Sequence, residues 1–138
     1  MQLEVRINLI LHATENESSV LQALEDNFHI QQKKFQIEEV SGHFNNPILL
    51  VSLKLKKKVA CDFVKLFFSK MKRSDFQKIF DDVEEHITSS GLSLRVSKQK
   101  LISQILTISK EDTIKININT PVYVKTETKK IYQELMKN

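Results

Sequence analysis

The fold is decided by residues 3–12, which read LEVRINLILH. Apolar side chains occupy every odd position from 3 to 11, and the even positions are polar except at Ile10. Because successive side chains of a β-strand point to opposite faces of a sheet, this alternation predicts a strand with one buried and one solvated face. A sheet that is wet on one side is typically antiparallel.

Four further segments have the composition of strands, namely 35–40, 48–55, 92–97 and 114–118. The first two flank the stretch 42–47, in which Gly42, His43, Asn46 and Pro47 are typical of a turn, so 35–55 is predicted to be a hairpin. In the last two segments, Leu, Val and Ile alternate with Ser, Arg, Lys and Asn. The pattern therefore predicts about five strands.

Helical spacing of apolar residues appears between these strands. A helix is predicted at about 15–28, where Thr14 and Glu17 have the spacing of a capping box. Two further helices follow the stripes Ala60, Phe63, Val64, Phe67, Phe68, Met71 and Phe76, Ile79, Phe80, Val83, Ile87, the second capped by Ser74 and ended by Gly91. A short helix is expected within 98–109, and a last one at about 127–137, anchored by Ile131, Leu135 and Tyr132.

Together these elements predict an α+β fold, in which helices pack on one face of a mostly antiparallel sheet. We expect residues 1–138 to form one domain, with the helix at about 127–137 as an appendage. The single cysteine, Cys61, fits a reducing compartment, no apolar run approaches the ~20 residues that cross a bilayer, and no secretory leader is apparent. The expected location is the cytoplasm.

Positive charge is concentrated in part of the chain. Residues 54–80 hold nine basic and two acidic side chains, and Asp81, Asp82, Glu84 and Glu85 follow at once. The basic run Lys54, Lys56, Lys57, Lys58 leads into a helix that carries Lys65, Lys70, Lys72 and Arg73. Such segregation favours a polyanion on one side of the protein, although lysine-rich helices also serve merely as solvated surfaces.

The outward positions of the predicted strands are polar and cationic. They are Arg6, Asn8, Ser52, Lys54, Ser93, Arg95, Lys115, Asn117 and Asn119. Arg and Lys displace counterions from phosphates, while Ser and Asn hydrogen-bond to the nucleic-acid backbone. Because no aromatic side chain is available there to stack on bases, the face predicts recognition of backbone or shape; an ordinary solvated sheet face is the alternative.

Motifs of catalysis and metal binding are absent from the sequence: it has no phosphate-binding glycine loop, no Cys/His metal spacing and no nucleophile elbow. No cofactor or metal is therefore expected. Cys61 lies among apolar helix positions and reads as a core thiol. His12 and His43 end predicted strands, and with Glu15 they offer acid–base cleavage of RNA as a minor alternative to a structural role in the turns.

Four short motifs resemble an archaeal family of predicted exosome-subunit or exosome-associated RNA-binding proteins. They are His12-Ala13-Thr14-Glu15, the segment 40–48 that reads VSGHFNNPI, Leu94-Arg95-Val96-Ser97-Lys98-Gln99 and Asp112-Thr113-Ile114-Lys115-Ile116. The family usually has Asp where this chain has Ser97. The resemblance implies RNA binding without catalysis and a fold like that of the ribosomal large-subunit protein that binds the small ribosomal RNA.

The expected function is therefore RNA binding linked to RNA processing or to ribosome-related machinery. Arg6, Arg95, Lys98, Lys115 and the lysines of 54–58 are predicted to neutralise phosphates, with Gln99 or Asn117 hydrogen-bonding sugar or base. His12, Thr14, Glu15, Gly42, His43, Asn46 and Pro47 are predicted to shape turns. The second hypothesis is a protein-interaction subunit that docks through 81–85 and the C-terminal helix, and the third is a small ribonuclease.

Overall fold

The computed structural model describes residues 2–12, 15–42 and 46–137, so Thr14 and His43 lie outside the described residues. Strands and α-helices follow one another in the order β1 Glu4–His12, α1 Glu17–Phe28, β2 Gln36–Ser41, β3 Pro47–Lys56, α2 Lys57–Lys70, α3 Arg73–Asp81, β4 Ile87–Thr88, β5 Gly91–Ser97, α4 Lys98–Ile102, β6 Thr113–Asn119 and α5 Thr128–Lys137. Short 3-10 turns occupy Gln32–Lys34, Val83–His86 and Lys125–Glu127.

The strands form one six-stranded sheet in the order β2-β3-β1-β6-β5-β4. Every neighbouring pair is antiparallel. The α+β prediction is therefore confirmed, with six strands where about five were expected. The additional strand is β4, which has two residues and is too short to produce an alternating pattern of its own.

The strand β1 lies inside the sheet, between β3 and β6. Its odd positions are buried, and Val5 and Ile7 have no exposed surface. The helices cover this buried face with a row of packed phenylalanine rings, whose centroids lie 5.0 to 6.0 Å apart from Phe28 in α1 to Phe80 in α3. The opposite face of the sheet is left uncovered along β1, since Arg6, Asn8, Ile10 and His12 are exposed there.

The C-terminal helix α5 packs into the same core. Tyr132 is buried and its hydroxyl accepts a hydrogen bond from the backbone N–H of Thr120 at 3.3 Å. Gln133 donates to the carbonyl of Phe80 at 2.8 Å. Leu135 and Met136 are buried, whereas Ile131, expected as an anchor, is half-buried. No helix among the described ranges is long and apolar enough to span a bilayer.

Two helix boundaries differ from the predictions. The helix α1 is capped by Asn16, whose side chain accepts a hydrogen bond from the backbone N–H of Ser19 at 3.2 Å, so the helix begins at Glu17, about two residues later than expected. Ser74 lies inside α3 rather than at its cap, because the helix begins one residue earlier at Arg73.

The end of α3 also differs. The helix stops at Asp81, and Ile87 belongs to β4, where it faces Leu92 of β5. Gly91 therefore opens β5 instead of ending a helix. The apolar spacing predicted a longer helix because Val83 is buried and Ile87 packs against the core, as they would on a helical stripe. The backbone, however, is no longer α-helical at these residues.

Candidate nucleic-acid interface

The nine outward positions predicted from the sequence share one face of the sheet, here named the open face. Eight of them form two rows across the strands, Ser52, Asn8, Lys115, Arg95 and then Lys54, Arg6, Asn117, Ser93; Gln36 of β2 extends the first row, and Asn119 stands opposite Glu4 in the next row. No aromatic side chain of the described residues stands in these rows. The antiparallel register thus brings together cations that are far apart in the sequence.

A groove of about 760 Å³ crosses the open face from β2 to β5. Asn8 and Ile10 of β1 lie in its middle, between Gln36 and Leu50 on one side and Lys115 on the other. Arg95 lines the groove on the β5 side. The groove is therefore polar and cationic towards β5, apolar at Ile10 and Leu50 on β1 and β3, and polar again along β2.

Two of the predicted cations are already balanced by a carboxylate. Glu4 lies 2.9 Å from the Lys54 ammonium and 3.8 Å from the Arg6 guanidinium. The hydrogen bond from Lys54, together with the positive charges of Lys54 and Arg6, holds the pKa of Glu4 below its ordinary value, against the opposing effect of desolvation. Both cations remain about half exposed, but at this end of the open face much of the positive charge is compensated.

Arg95 and Lys115 are not compensated in this way. They stand directly opposite each other on β5 and β6, with their side chains on the same face. Neither forms an ion pair with a carboxylate of the described residues, and Arg95 donates a hydrogen bond to the hydroxyl of Thr113 at 3.4 Å. Like charges directly opposite in a sheet are destabilising, so this pair is the position on the open face where an anion is most favoured.

Lys98, predicted to contact phosphate, is buried instead. Only 2% of its side chain is exposed, and its ammonium donates to the carbonyl of Ile10 and to both carboxylate oxygens of Glu15, at 3.0 and 3.2 Å. Asp112 lies 3.0 Å from the same ammonium. With two carboxylates and a carbonyl already bound, Lys98 does not fit a direct phosphate contact.

Three of the four sequence motifs meet at this buried lysine. Asp112 accepts a hydrogen bond from Gln99 at 3.4 Å, and Glu15 accepts one from the backbone N–H of His12 at 2.9 Å. The hydrogen bond and positive charge of Lys98 hold the pKa of Asp112 below its ordinary value. The motifs therefore join the end of β1 to the starts of α4 and β6, beside the groove.

Ser97 takes the place at which the resembling family usually has Asp. Its hydroxyl accepts a hydrogen bond from the backbone N–H of Lys100 at 3.1 Å and caps α4. Ser and Asp are both strong N-cap residues, because each offers an oxygen to the free N–H groups of a first turn. The departure from the family pattern therefore keeps the same local structure.

The lysine run divides between two surfaces. Lys54 and Lys56 lie on the open face, opposite Arg6 and Glu4. Lys57 has φ 56° and starts α2, and Lys58 pairs with Asp62 at 3.0 Å within that helix. The helix cations Lys65, Lys70 and Lys72 are exposed on elements that pack against the other face of the sheet. The open face and the helix lysines consequently do not form one continuous basic surface.

The remaining predicted residues serve local structure or line the groove. Asn117 is almost buried and its carbonyl oxygen accepts from the hydroxyl of Ser93. At the hairpin, the N–H of Gly42 donates to the carbonyl of Asn46 at 2.7 Å and Pro47 begins β3. His12 is exposed at the groove, whereas His43 lies outside the described residues, and the carboxylate of Glu15 is bound to Lys98.

Sequence reasoning missed two apolar residues of the groove, Ile10 and Leu50, which face each other on β1 and β3. The signal was present in Ile10, the one apolar residue on the wet side of the β1 alternation. Within 2–12, 15–42 and 46–137, no group of three His, Cys, Asp or Glu side chains is arranged to hold a metal ion.

A family model described as RNA binding matches residues 4–120, which include every strand and end before α5. A curated Pyrococcus abyssi protein, named an RNA-binding protein, is 29% identical over 86% of this chain and 82% of its own length. Nothing in that name describes an enzyme.

Two crystal structures of archaeal DUF54 proteins have the same fold. The Sulfolobus solfataricus protein superposes with a TM-score of 0.78 at 25% identity and covers 97% of both chains. The Archaeoglobus fulgidus protein gives a TM-score of 0.80 at 22% identity and covers 98% of this chain and 99% of its own. At this level of identity, the second likeness concerns the fold alone.

Proposed function

The chain belongs to the RNA binding family, and from this premise we propose that it binds RNA through the open face without cleaving it. We propose further that it recognises the phosphate backbone or the shape of the RNA rather than a base sequence. The arrangement of cations without aromatic side chains supports this mode, since sequence-tolerant contacts are mostly to phosphate and sugar.

The observation that carries the proposal is the Arg95–Lys115 pair. Two cations held directly opposite each other without a carboxylate repel one another, and a phosphate placed between them relieves that repulsion. Arg6, Lys54 and Lys56 extend the cationic surface along the neighbouring strands. Lys57 and Lys58 lie where β3 passes into α2; Lys57 supplies further positive charge at its rim, whereas the charge of Lys58 is partly balanced by Asp62.

Polar side chains are proposed to complete the contacts. Gln99 is exposed beside the groove, and Asn117 stands directly opposite Arg6 on β6, so their amides are proposed to serve for hydrogen bonds to sugar or base. Lys98 acts indirectly in this proposal, by holding Glu15 and Asp112 at the groove edge.

The proposal predicts that Arg95→Glu weakens binding of a structured RNA by about tenfold or more, because it removes one phosphate contact and adds repulsion. Binding is measured by fluorescence anisotropy over a series of salt concentrations. For the wild-type chain we expect the logarithm of the affinity to fall steeply with the logarithm of the salt concentration. The slope for the variant should be shallower, by the amount that corresponds to about one phosphate contact.

The matched control is Lys65→Glu, which makes the same change of charge on the helix layer, away from the open face. We expect its affinity to stay within about threefold of wild type, since exposed distant charges are largely screened at physiological salt. Equal losses from the two variants, or no salt-dependent binding at low salt, contradict the proposal.

A link to RNA processing is the finer part of the proposal. The four sequence motifs that resemble exosome-associated proteins support it, and the single thiol, Cys61, fits action in the reducing cytoplasm. Crosslinking in cells followed by sequencing of the bound RNA tests it: processing intermediates or ribosomal RNA are expected among the enriched species. Enrichment that merely follows transcript abundance contradicts it.

A protein partner is the second candidate, because Asp81, Asp82, Glu84 and Glu85 form an exposed acidic segment. The helix α5, in contrast, already uses its apolar side in the core. Co-purification of a defined protein after nuclease treatment, combined with no RNA affinity of the isolated chain, favours this candidate over RNA binding.

A further inference from the structure

Two aliphatic side chains are exposed in the groove of the open face. Ile10 and Leu50 stand directly opposite each other on β1 and β3, and are 46% and 38% exposed. The half-buried Ile48 and Val40 continue the apolar strip towards the hairpin. Apolar residues gathered on an otherwise polar face, and rimmed by polar groups, mark a surface that takes a ligand.

This strip lies close to the uncompensated cations. In the sheet, Lys115 is directly opposite Asn8 on the neighbouring strand β1, and Ile10 follows Asn8 by two residues on the same face. One strand spacing is ~4.8 Å and a two-residue step is ~6.7 Å. At their Cα atoms Lys115 and Ile10 are therefore ~8 Å apart. Because the long side chains of Lys115 and Arg95 both line the groove, their charged ends come within the reach of a single nucleotide whose base lies on Ile10.

We propose that the groove seats one unpaired nucleotide of the bound RNA, with its phosphate between Arg95 and Lys115 and its base against Ile10 and Leu50. Asn8, between the two ends, faces the ribose. This inference rests on the proposed function and names its substrate class: RNA that carries a bulged or looped-out base, as opposed to a continuous duplex.

The composition of the groove favours this occupant. A base has an apolar face for the aliphatic floor and a polar edge, and Gln36 and Glu38 on β2 line the groove where that edge lies. A paired base inside a duplex exposes neither its face nor its Watson–Crick edge. Since the floor makes only apolar contact with the base, it tolerates all four bases and agrees with weak sequence preference.

The test compares two RNA hairpins of the same sequence, one fully paired and one with a single-nucleotide bulge in the stem. For the wild-type chain we expect about fivefold or tighter binding of the bulged hairpin, since its base covers the exposed aliphatic surface. In the double variant Ile10→Thr, Leu50→Thr that preference falls to about one, while affinity for the paired hairpin stays within about twofold.

Threonine is β-branched and well suited to a strand, so both substitutions are expected to preserve the sheet. The control is Val59→Thr, which changes an apolar residue that is 59% exposed on α2, outside the groove, and leaves the preference intact. Equal affinity for both hairpins overturns the inference, as does an equal loss for both in the double variant. In either case, sensitivity to Arg95→Glu leaves the proposed function standing, whereas absence of all salt-dependent binding defeats both.

Discussion

Lys98 lies in the interior, although lysine is among the residues least often fully buried. Its ammonium holds Glu15, Asp112 and the carbonyl of Ile10, so it ties together the end of β1, the entry to α1 and the start of β6. A buried charge is tolerated only where partners replace its lost hydration, and here those partners come from distant parts of the sequence.

Replacement of this lysine is expected to destabilise the fold strongly. Lys98→Met keeps the length of the side chain but leaves two carboxylates facing each other without a cation. Removal of one member of a buried charge cluster costs ~3–5 kcal/mol, and the exposure of Asp112 reduces this to about 2–4 kcal/mol. The free energy of unfolding, measured by urea denaturation, provides the check.

The control for this prediction is Lys100→Met on the same short helix, where the side chain is exposed and forms no ion pair with the part of the chain that the structure describes. It should change the unfolding free energy by less than about 0.5 kcal/mol. A Lys98→Met chain as stable as wild type would show that the carboxylates do not depend on the lysine.

The positions of individual side chains could be predicted only in part from the sequence. The alternation correctly placed Arg6, Arg95 and Lys115 on the solvated face, because the face to which a strand side chain points alternates from one residue to the next. The burial of Lys98 had no local signal: its carboxylate partners lie 83 and 14 residues away along the chain, and their approach depends on how four elements are packed.

Gly91 sets the geometry where β4 turns into β5. Its φ is +103°, and a Cβ placed there would lie 2.4 Å from the backbone oxygen of Ile118 on β6. Glycine meets both demands, a left-handed backbone and a close approach to the next strand. This turn also brings Ser89 and Ser90 beside Arg6 and Asn117, at one border of the open face.

Gly91→Ala should destabilise the protein by at least about 1–3 kcal/mol, since alanine is strained at this φ and its methyl group meets a backbone atom that has no free rotation. Thermal unfolding monitored by circular dichroism measures the effect. Ser90→Ala is the control in the same turn, because the Ser90 side chain is exposed and the hydrogen bond from the Ser90 backbone N–H to Thr88 is kept. Equal melting temperatures for the two variants contradict the prediction.

Elements that repeat their apolar pattern over many residues were predictable, whereas the residues at which elements end were not. The strands β1, β5 and β6 and the helix α2 each repeat one period over at least seven residues. The end of α3 and the two-residue β4 were missed because a buried apolar residue such as Ile87 satisfies the helical stripe and the edge strand equally well. Pairing with Leu92, which decides between them, is a tertiary contact.

The molecule has two layers, the sheet and the helices, and the positively charged side chains are arranged differently on each. On the open face Arg95 and Lys115 are fixed opposite each other in register, whereas Lys65 and Lys70 stand on solvated helix surface above the aromatic core. A rigid strand register presents cations at set spacings, which suits contacts to phosphates. Separated lysines on a helix raise solubility and long-range attraction instead.

This difference predicts an asymmetric footprint. Bound RNA should slow the acetylation of Lys54 and Lys115 severalfold, because phosphates cover their amines, and leave Lys65 and Lys70 reacting at their free rates. Mass spectrometry of the acetylated chain, with and without RNA, measures each site, and buried Lys98 provides an internal reference that stays unreactive in both states. Raised salt, which releases the RNA, should restore the free pattern. The opposite result, in which RNA protects Lys65 and Lys70 while Lys54 and Lys115 stay reactive, would place the RNA on the helix layer. It would exclude the open face as the binding surface.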